Sequence, residues 1–162
     1  MRDTILDSIT RLLRYQRTPE SVTAKFGHLR HNADMLPSLQ TQLETVLNAH
    51  GKFEPVVYDC QGINDDGSDI AVRFDPQSNN PELICFQVKS FQDLARPHYM
   101  QELKAQRDDS FRKVRGLRHY FIVLCTDAAK HKDRVRNVVS EFRSADRTEV
   151  IEPAYAYTFL HF

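Results

Sequence analysis

The chain has 162 residues, 41% hydrophobic and 27% charged, which suits one folded domain with a real core and excludes a disordered chain. Its longest apolar runs, Tyr120 to Cys125 and Tyr155 to Leu160, are far too short to cross a bilayer as a helix. The net charge is zero, but the average hides an uneven distribution. Gln40 to Glu82 has a balance of −6, Arg96 to His119 of +4 and Lys130 to Arg147 of +3. An acidic segment beside basic ones suits a cation site with phosphate-gripping flanks. Cys60, Cys85 and Cys125 are far apart and lie in or beside strand-like stretches. Their spacing gives neither a zinc site nor a disulfide framework, so reduced, buried thiols and a cytoplasmic location are expected. Met1-Arg2-Asp3-Thr4 has an early acid and no apolar block behind it, so no signal peptide is expected.

In chain order, Ile5, Ile9, Leu12 and Leu13 predict an amphipathic helix over Asp3 to Gln16. Thr18-Pro19-Glu20 predicts a second helix, capped by Thr18 and running to about His31. A third begins near Pro37-Ser38, buries Leu39, Leu43, Val46 and Leu47, and stops at Gly51. The period then shortens. Strands are predicted over Phe53 to Cys60, Asp69 to Phe74 and Leu83 to Val88, the last two as a hairpin. Gln92 to Arg115 reads as helix with Pro97 near its start, Tyr120 to Cys125 as a buried strand and Lys132 to Phe142 as helix. Thr148 to Ile151 and Ala154 to Leu160 read as extended segments around Pro153. This order predicts an α/β fold, a mixed sheet flanked by helices. Residues 1–36 are expected as a helical extension packed on a core domain of residues 37–162.

The chemistry concentrates between Gly62 and Lys89. The turn Asp65-Asp66-Gly67-Ser68-Asp69 opens onto Ile70-Ala71-Val72, and Leu83-Ile84-Cys85-Phe86 ends in Gln87-Val88-Lys89. On neighbouring strands this brings a carboxylate, an amide oxygen and an ammonium to one point. Gln87 and Lys89, two apart on a strand, share a face. Asp69 is the expected principal ligand of a divalent cation, with Gln87 offering its carbonyl oxygen. Lys89 is expected to orient an attacking water and to stabilise charge on the reacting phosphate. Asp-Gly turns are common and lysines often guard strand edges. A Gln and a Lys directly after four apolar strand residues are less easily explained that way.

Gly62-x-x-Asp65-x-Gly67-x-Asp69, an apolar strand, and then Gln87-Val88-Lys89 resemble the PD-(D/E)xK nuclease superfamily. More narrowly, the pattern is similar to Mrr-type restriction endonucleases, in which Gln replaces the second acid. The resemblance implies a restriction-endonuclease-like fold, with Asp69, Gln87 and Lys89 as the core triad. It also implies Mg²⁺ (or Mn²⁺) as cofactor, DNA as substrate, and a role in restriction or another defence system. The family commonly carries a Glu early in the helix before the first strand. Here Gln40 takes that place, and Glu44, one turn on, is the expected substitute ligand. Ser90, Lys104, Arg107, Arg112 and Lys113 follow the triad and are the expected contacts to DNA phosphates. Double-strand cleavage would call for a homodimer or a larger assembly. An inactive binding or assembly module of the same fold, and a nuclease acting on RNA or small nucleotides, stay open as alternatives. His28 and His31 stand three apart but lack the further Cys or His that a zinc site needs.

Overall fold

The computed structural model describes residues 2–19, 26–49, 56–59, 68–74, 79, 82–127 and 129–160. Helix α1 (Arg2–Leu13) is followed by a π-helical turn (His31–Met35) that runs directly into α2 (Leu36–Ala49). Then come β1 (Val56–Asp59), β2 (Ile70–Phe74), β3 (Glu82–Ser90), α3 (Phe91–Ala95), α4 (Tyr99–Lys113) and β4 (Leu117–Cys125). Helix α5 (Lys132–Phe142), β5 (Thr148–Ile151) and α6 (Pro153–Phe159) complete the order. The five strands form one mixed sheet in sequence order, β1 to β3 antiparallel and β3 to β5 parallel.

Strand β3 is the centre of the molecule. Leu83 through Lys89 are buried without a break, as expected of a strand covered on both faces. Ile84, Phe86 and Val88 join Ile70, Val72, Phe121 and Val123 under α1, α2 and α6. There Phe86 and Phe121 stack with centroids 5.0 Å apart. Leu83 and Cys85 face the other way, with Ala71, Tyr120, Ile122 and Leu124, toward α3, α4 and α5. Gln87 and Lys89 share that second face by strand alternation. Because β3 and β4 are parallel, α3 and α4 must carry the chain back from the end of one to the start of the other. Gly116 turns that corner with φ 82, a conformation that costs glycine little.

The expected hairpin of the second and third strands is formed, its register running from Ile70 opposite Phe86 to Phe74 opposite Glu82. Cys85 and Cys125 are buried; Cys60 and the turn over residues 61–67 lie outside the described residues. The Thr18 hydroxyl donates to the Ala154 carbonyl at 2.9 Å and shares a bond with Thr158 Oγ1 at 2.7 Å. Of the second helix expected from Thr18 to about His31, residues 20–25 lie outside the described ones and residues 26–30 are not helical. Other expectations change. The helix expected over Gln92 to Arg115 is two helices, broken at Arg96, Pro97 and His98. Ala154 to Leu160 is the helix α6, with Pro153 in its first turn. Alternating aromatics imitated a strand there, but Pro153, Ala156 and Leu160 are the residues buried, a helical spacing. The boundary expected at residue 36 falls inside the continuous helical stretch from His31 to Ala49. Ile9, Leu13, Phe26 and Met35 share one core with the sheet.

Candidate active site

Asp69 lies just before β2, pinned by its own N–H to the Phe86 carbonyl at 2.9 Å. Its carboxylate reaches across to β3, where Oδ2 accepts the Val88 N–H at 2.8 Å and Gln87 Nε2 at 3.1 Å. Gln87 Oε1 accepts a longer bond from the Tyr120 hydroxyl at 3.4 Å. Burial pushes the Tyr120 pKa well up, so it stays a neutral donor. Ser110, on α4, touches Tyr120 and shares a 2.8 Å bond with Ser68. A buried polar chain therefore runs from the loop before β2, through α4 and β4, to the amide of Gln87. Asp69, Gln87 and Lys89 are 4%, 5% and 6% exposed, and the structure brings all three to one place.

Lys89 is the least comfortable group. Burial pushes its ammonium pKa down, while Asp93 and Asp69 pull it part of the way back. Among the described residues it forms no ion pair within 4 Å. A desolvated amine of lowered pKa near carboxylates is a common feature of functional sites.

Two residues that local pattern did not assign complete the cluster. His31, at the start of the π-helical turn, holds Nε2 3.5 Å from Asp69 Oδ2 and Nδ1 3.5 Å from Asp93 Oδ2. Asp93 is itself fixed by a capping box. Its Oδ2 accepts the Ser90 N–H and hydroxyl, each at 2.8 Å, while the Asp93 N–H returns a bond to Ser90 Oγ. The Ser90-x-x-Asp93 spacing was a legible capping signal, but nothing local ties His31 to residues 38 and 62 positions away. His28 is exposed on the preceding turn.

On α2, the expected carboxylate Glu44 accepts a hydrogen bond from Gln40 at 3.1 Å. It stands about 12 Å of helix rise beyond Leu36, on a helix whose body runs along β1 while the turn at His31 meets β3. The His31 end of that stretch is the end that reaches Asp69.

The expected phosphate contacts are placed as follows. Ser90 caps α3. On α4, Lys104 pairs with Glu141. Arg107 donates to Thr148 Oγ1 at 2.9 Å and to the Asp146 carbonyl at 2.7 Å. Arg112 and Lys113 pair with Asp109. This helix runs back along the sheet, and its buried Ser110 reaches Ser68 and Tyr120, while these cations are engaged by other groups. Ser90 pairs instead with Cys125, and the chain that leaves β4 there carries Lys130, His131 and Lys132. The His131 ring stacks on Phe91 at 4.1 Å, with Lys130 Nζ 5.8 Å from the same ring. Lys130 and Lys132 are exposed and form no ion pair among the described residues.

His31 and Asp93 carry opposite shifts that predict how stability in EDTA responds to pH. Burial opposes charge on the His31 ring, but the flanking carboxylates of Asp69 and Asp93 outweigh it and raise the pKa from 6.5 to about 9. Burial also opposes charge on Asp93, yet bonds from His31 and Ser90 hold its carboxyl well below the ordinary 3.8. A raised pKa stabilises fully below pH 6.5 and fades as pH rises through about 9. A depressed one stabilises above pH 3.8 and is lost as pH falls. Thermal melts in EDTA should therefore show greatest stability between these limits, and His31→Gln should flatten the decline above pH 6.5. The same decline in His31→Gln would assign it to another group.

As a cation site, the donors are one carboxylate (Asp69), one amide (Gln87) and one imidazole (His31). Among the described residues His31 Nε2 is buried without a hydrogen bond of good geometry, and the Gln87 amide exchanges its oxygen and nitrogen by a half-turn. Among the described residues no group of three or more His, Cys, Asp or Glu side chains is placed to hold one ion. The set fits a small divalent cation that keeps several waters.

No family model matches the chain, and no curated protein matches it. A solved structure of MspJI restriction endonuclease in complex with a 27-mer oligonucleotide is similar at 14% identity and a TM-score of 0.40. The match covers 79% of this chain and 28% of that one, so the chain spans little more than a quarter of that protein's length. Among the described residues no helix is long and apolar enough to cross a membrane.

Proposed function

We propose that this chain is a metal-dependent nuclease domain of the PD-(D/E)xK, Mrr-like kind, hydrolysing DNA phosphodiester bonds in restriction or a related defence. The observation that carries the reading is the buried meeting of Asp69, Gln87 and Lys89 at the end of β3, where α/β sheets tend to bind their ligands. Asp69 and Gln87 would hold Mg²⁺ or Mn²⁺. When bound, the cation polarises the phosphate and lowers the pKa of an attacking water. The chain's own residues do the rest. Val88 N–H fixes the Asp69 carboxylate, and the Tyr120 hydroxyl, which donates to Gln87 Oε1, would accept from its Nε2 once the amide turns its oxygen to the cation. Lys89 donates to the water or to a phosphate oxygen where charge grows, and its lowered pKa lets it exchange a proton more readily. One site cuts one strand, so double-strand cleavage requires two copies or a larger assembly.

Relaxation of supercoiled plasmid with Mg²⁺ and with Mn²⁺ tests the activity. The wild type should nick, and Asp69→Ala and Lys89→Ala should not. Intact plasmid with the wild type, or equal cutting by both variants, would return the chain to a binding module. Duplex DNA, single strands and RNA offered in competition identify the substrate.

We infer that the exposed Lys130 and Lys132, on the chain that leaves β4 next to Ser90, contact the nucleic-acid strand. In Ca²⁺, Lys130→Ala/Lys132→Ala should weaken binding of a duplex roughly tenfold at about 0.1 M salt and flatten the salt dependence by about two counterions. The same loss from Lys104→Ala/Arg112→Ala, with none from the first pair, would move the contact to α4.

A further inference from the structure

We propose that His31 is a ligand of the cation, positioned by Asp93, and that this nitrogen donor makes the site favour Mn²⁺ over Mg²⁺. The ring is bracketed, with Nδ1 facing Asp93 and Nε2 facing Asp69, each at 3.5 Å. Asp93 cannot drift, because Ser90 donates to it twice at 2.8 Å. A carboxylate behind one ring nitrogen, leaving the other directed at a second carboxylate, is the usual support of a metal-bound histidine. Among the described residues Nε2 is buried, with only the long 3.5 Å approach to Asp69 Oδ2 and no hydrogen bond of good geometry. An ion seated between the two would replace that approach with a direct bond to each.

Backbone geometry points the same way. The helical stretch that ends in α2 begins not as an α-helix but as a five-residue π-helical turn, closed by Met35 N–H on the Arg30 carbonyl at 3.1 Å. Asp34 steadies it by accepting the Arg30 N–H at 2.7 Å. Rare turns of this kind mark functional sites, and here the turn carries His31 against β3. The donor chemistry gives the selectivity. Mg²⁺ is held best by oxygen and by more than one carboxylate, and this site offers a single carboxylate, an amide and an imidazole. First-row transition ions accept imidazole more readily, and Mn²⁺ among them retains the taste for carboxylate and water. Seating the ion displaces any proton on Nε2 to solvent, leaving the Nδ1 proton on the Asp93 side.

This inference rests on the nuclease reading only for the presence of an ion at Asp69, and its readout is binding rather than cleavage. Full-length protein is loaded with Mn²⁺ alone and examined by pulsed electron paramagnetic resonance, with calorimetry for Mn²⁺ and Mg²⁺. The expected wild-type result is nitrogen modulation from one bound imidazole and about tenfold tighter binding of Mn²⁺ than of Mg²⁺. His31→Gln should bind Mn²⁺ more weakly and lose the modulation. Asp93→Ala should cost about 10–100-fold in Mn²⁺ affinity. Asp93→Asn, which keeps an acceptor for Nδ1–H, should restore the modulation. Bound Mn²⁺ without nitrogen modulation, modulation that survives His31→Gln, or equal affinity for the two ions would overturn the proposal. The wild-type spectrum decides the first point even if a variant fails to fold. Cleavage without nitrogen coupling overturns this inference and leaves the nuclease reading. Nitrogen-coupled Mn²⁺ without cleavage does the reverse, and no Mn²⁺ binding overturns both.

Discussion

Asp69→Ala should abolish nicking, a loss of about 10³-fold or more, on the scale of a preorganised charged contact in a water-excluded site. The same substitution should also destabilise the metal-free protein. Asp69 Oδ2 is the acceptor for the Val88 N–H at 2.8 Å, and a buried donor left unpaired costs about 1–3 kcal/mol. In a chain of this size that lowers the melting temperature by about 2–4 °C per kcal/mol. Asp69→Asn separates the two effects. Its amide oxygen still accepts the Val88 N–H, so most of the stability should remain, while the charge proposed to hold the cation is gone. Plasmid nicking measured beside melts in EDTA gives both readings. Cutting by Asp69→Asn near the wild-type rate would remove Asp69 from the chemistry.

Lys89→Met should lower cleavage by about 10²–10⁴-fold, the usual worth of a positioned proton-transfer group, and should raise thermal stability. The second half follows from the direction of the Lys89 pKa. Burial destabilises the ammonium more than Asp93 and Asp69 favour it, so the folded protein holds this charge at a cost. Methionine keeps most of the volume without the charge, and such replacements are often neutral or stabilising. A gain of about 1 kcal/mol corresponds to roughly 2–4 °C in the melting temperature. Activity and stability moving in opposite directions is the signature of a functional group, because damage to the fold would lower both. A less stable Lys89→Met would make Lys89 a structural partner of Asp69 and Asp93, and unchanged cutting would discard its role.

Much of the site was legible because its pieces are short and local. Asp69, Gln87 and Lys89 stand at the ends of two apolar runs joined by a polar loop, and strand alternation alone puts Gln87 and Lys89 on one face. The hairpin follows from the same pattern. The carboxylate expected on α2 was harder, because only a family comparison pointed to that helix. Gln40 and Glu44 bond to each other, while His31 occupies the end of the helical stretch nearest β3. The phosphate contacts show a second difficulty. Lys104, Arg112 and Lys113 follow the triad closely in sequence, but sequence proximity does not show which partners a helix-borne cation meets. Glu141 on α5 and Asp109 on α4 itself pair with those cations.

The sequence by itself determined the mixed α/β order, the central hairpin and the Asp69, Gln87 and Lys89 positions. Each of these depends on residue periods of two or about four along the chain. Only the tertiary structure decided that Ala154 to Leu160 is helix, because packing of Ala156 and Leu160 against the core overrides an alternating aromatic pattern. It alone decided that His31 stands between Asp69 and Asp93. That juxtaposition joins three segments across the end of a sheet. Such contacts are fixed by how helices pack on strands, and no local spacing encodes them.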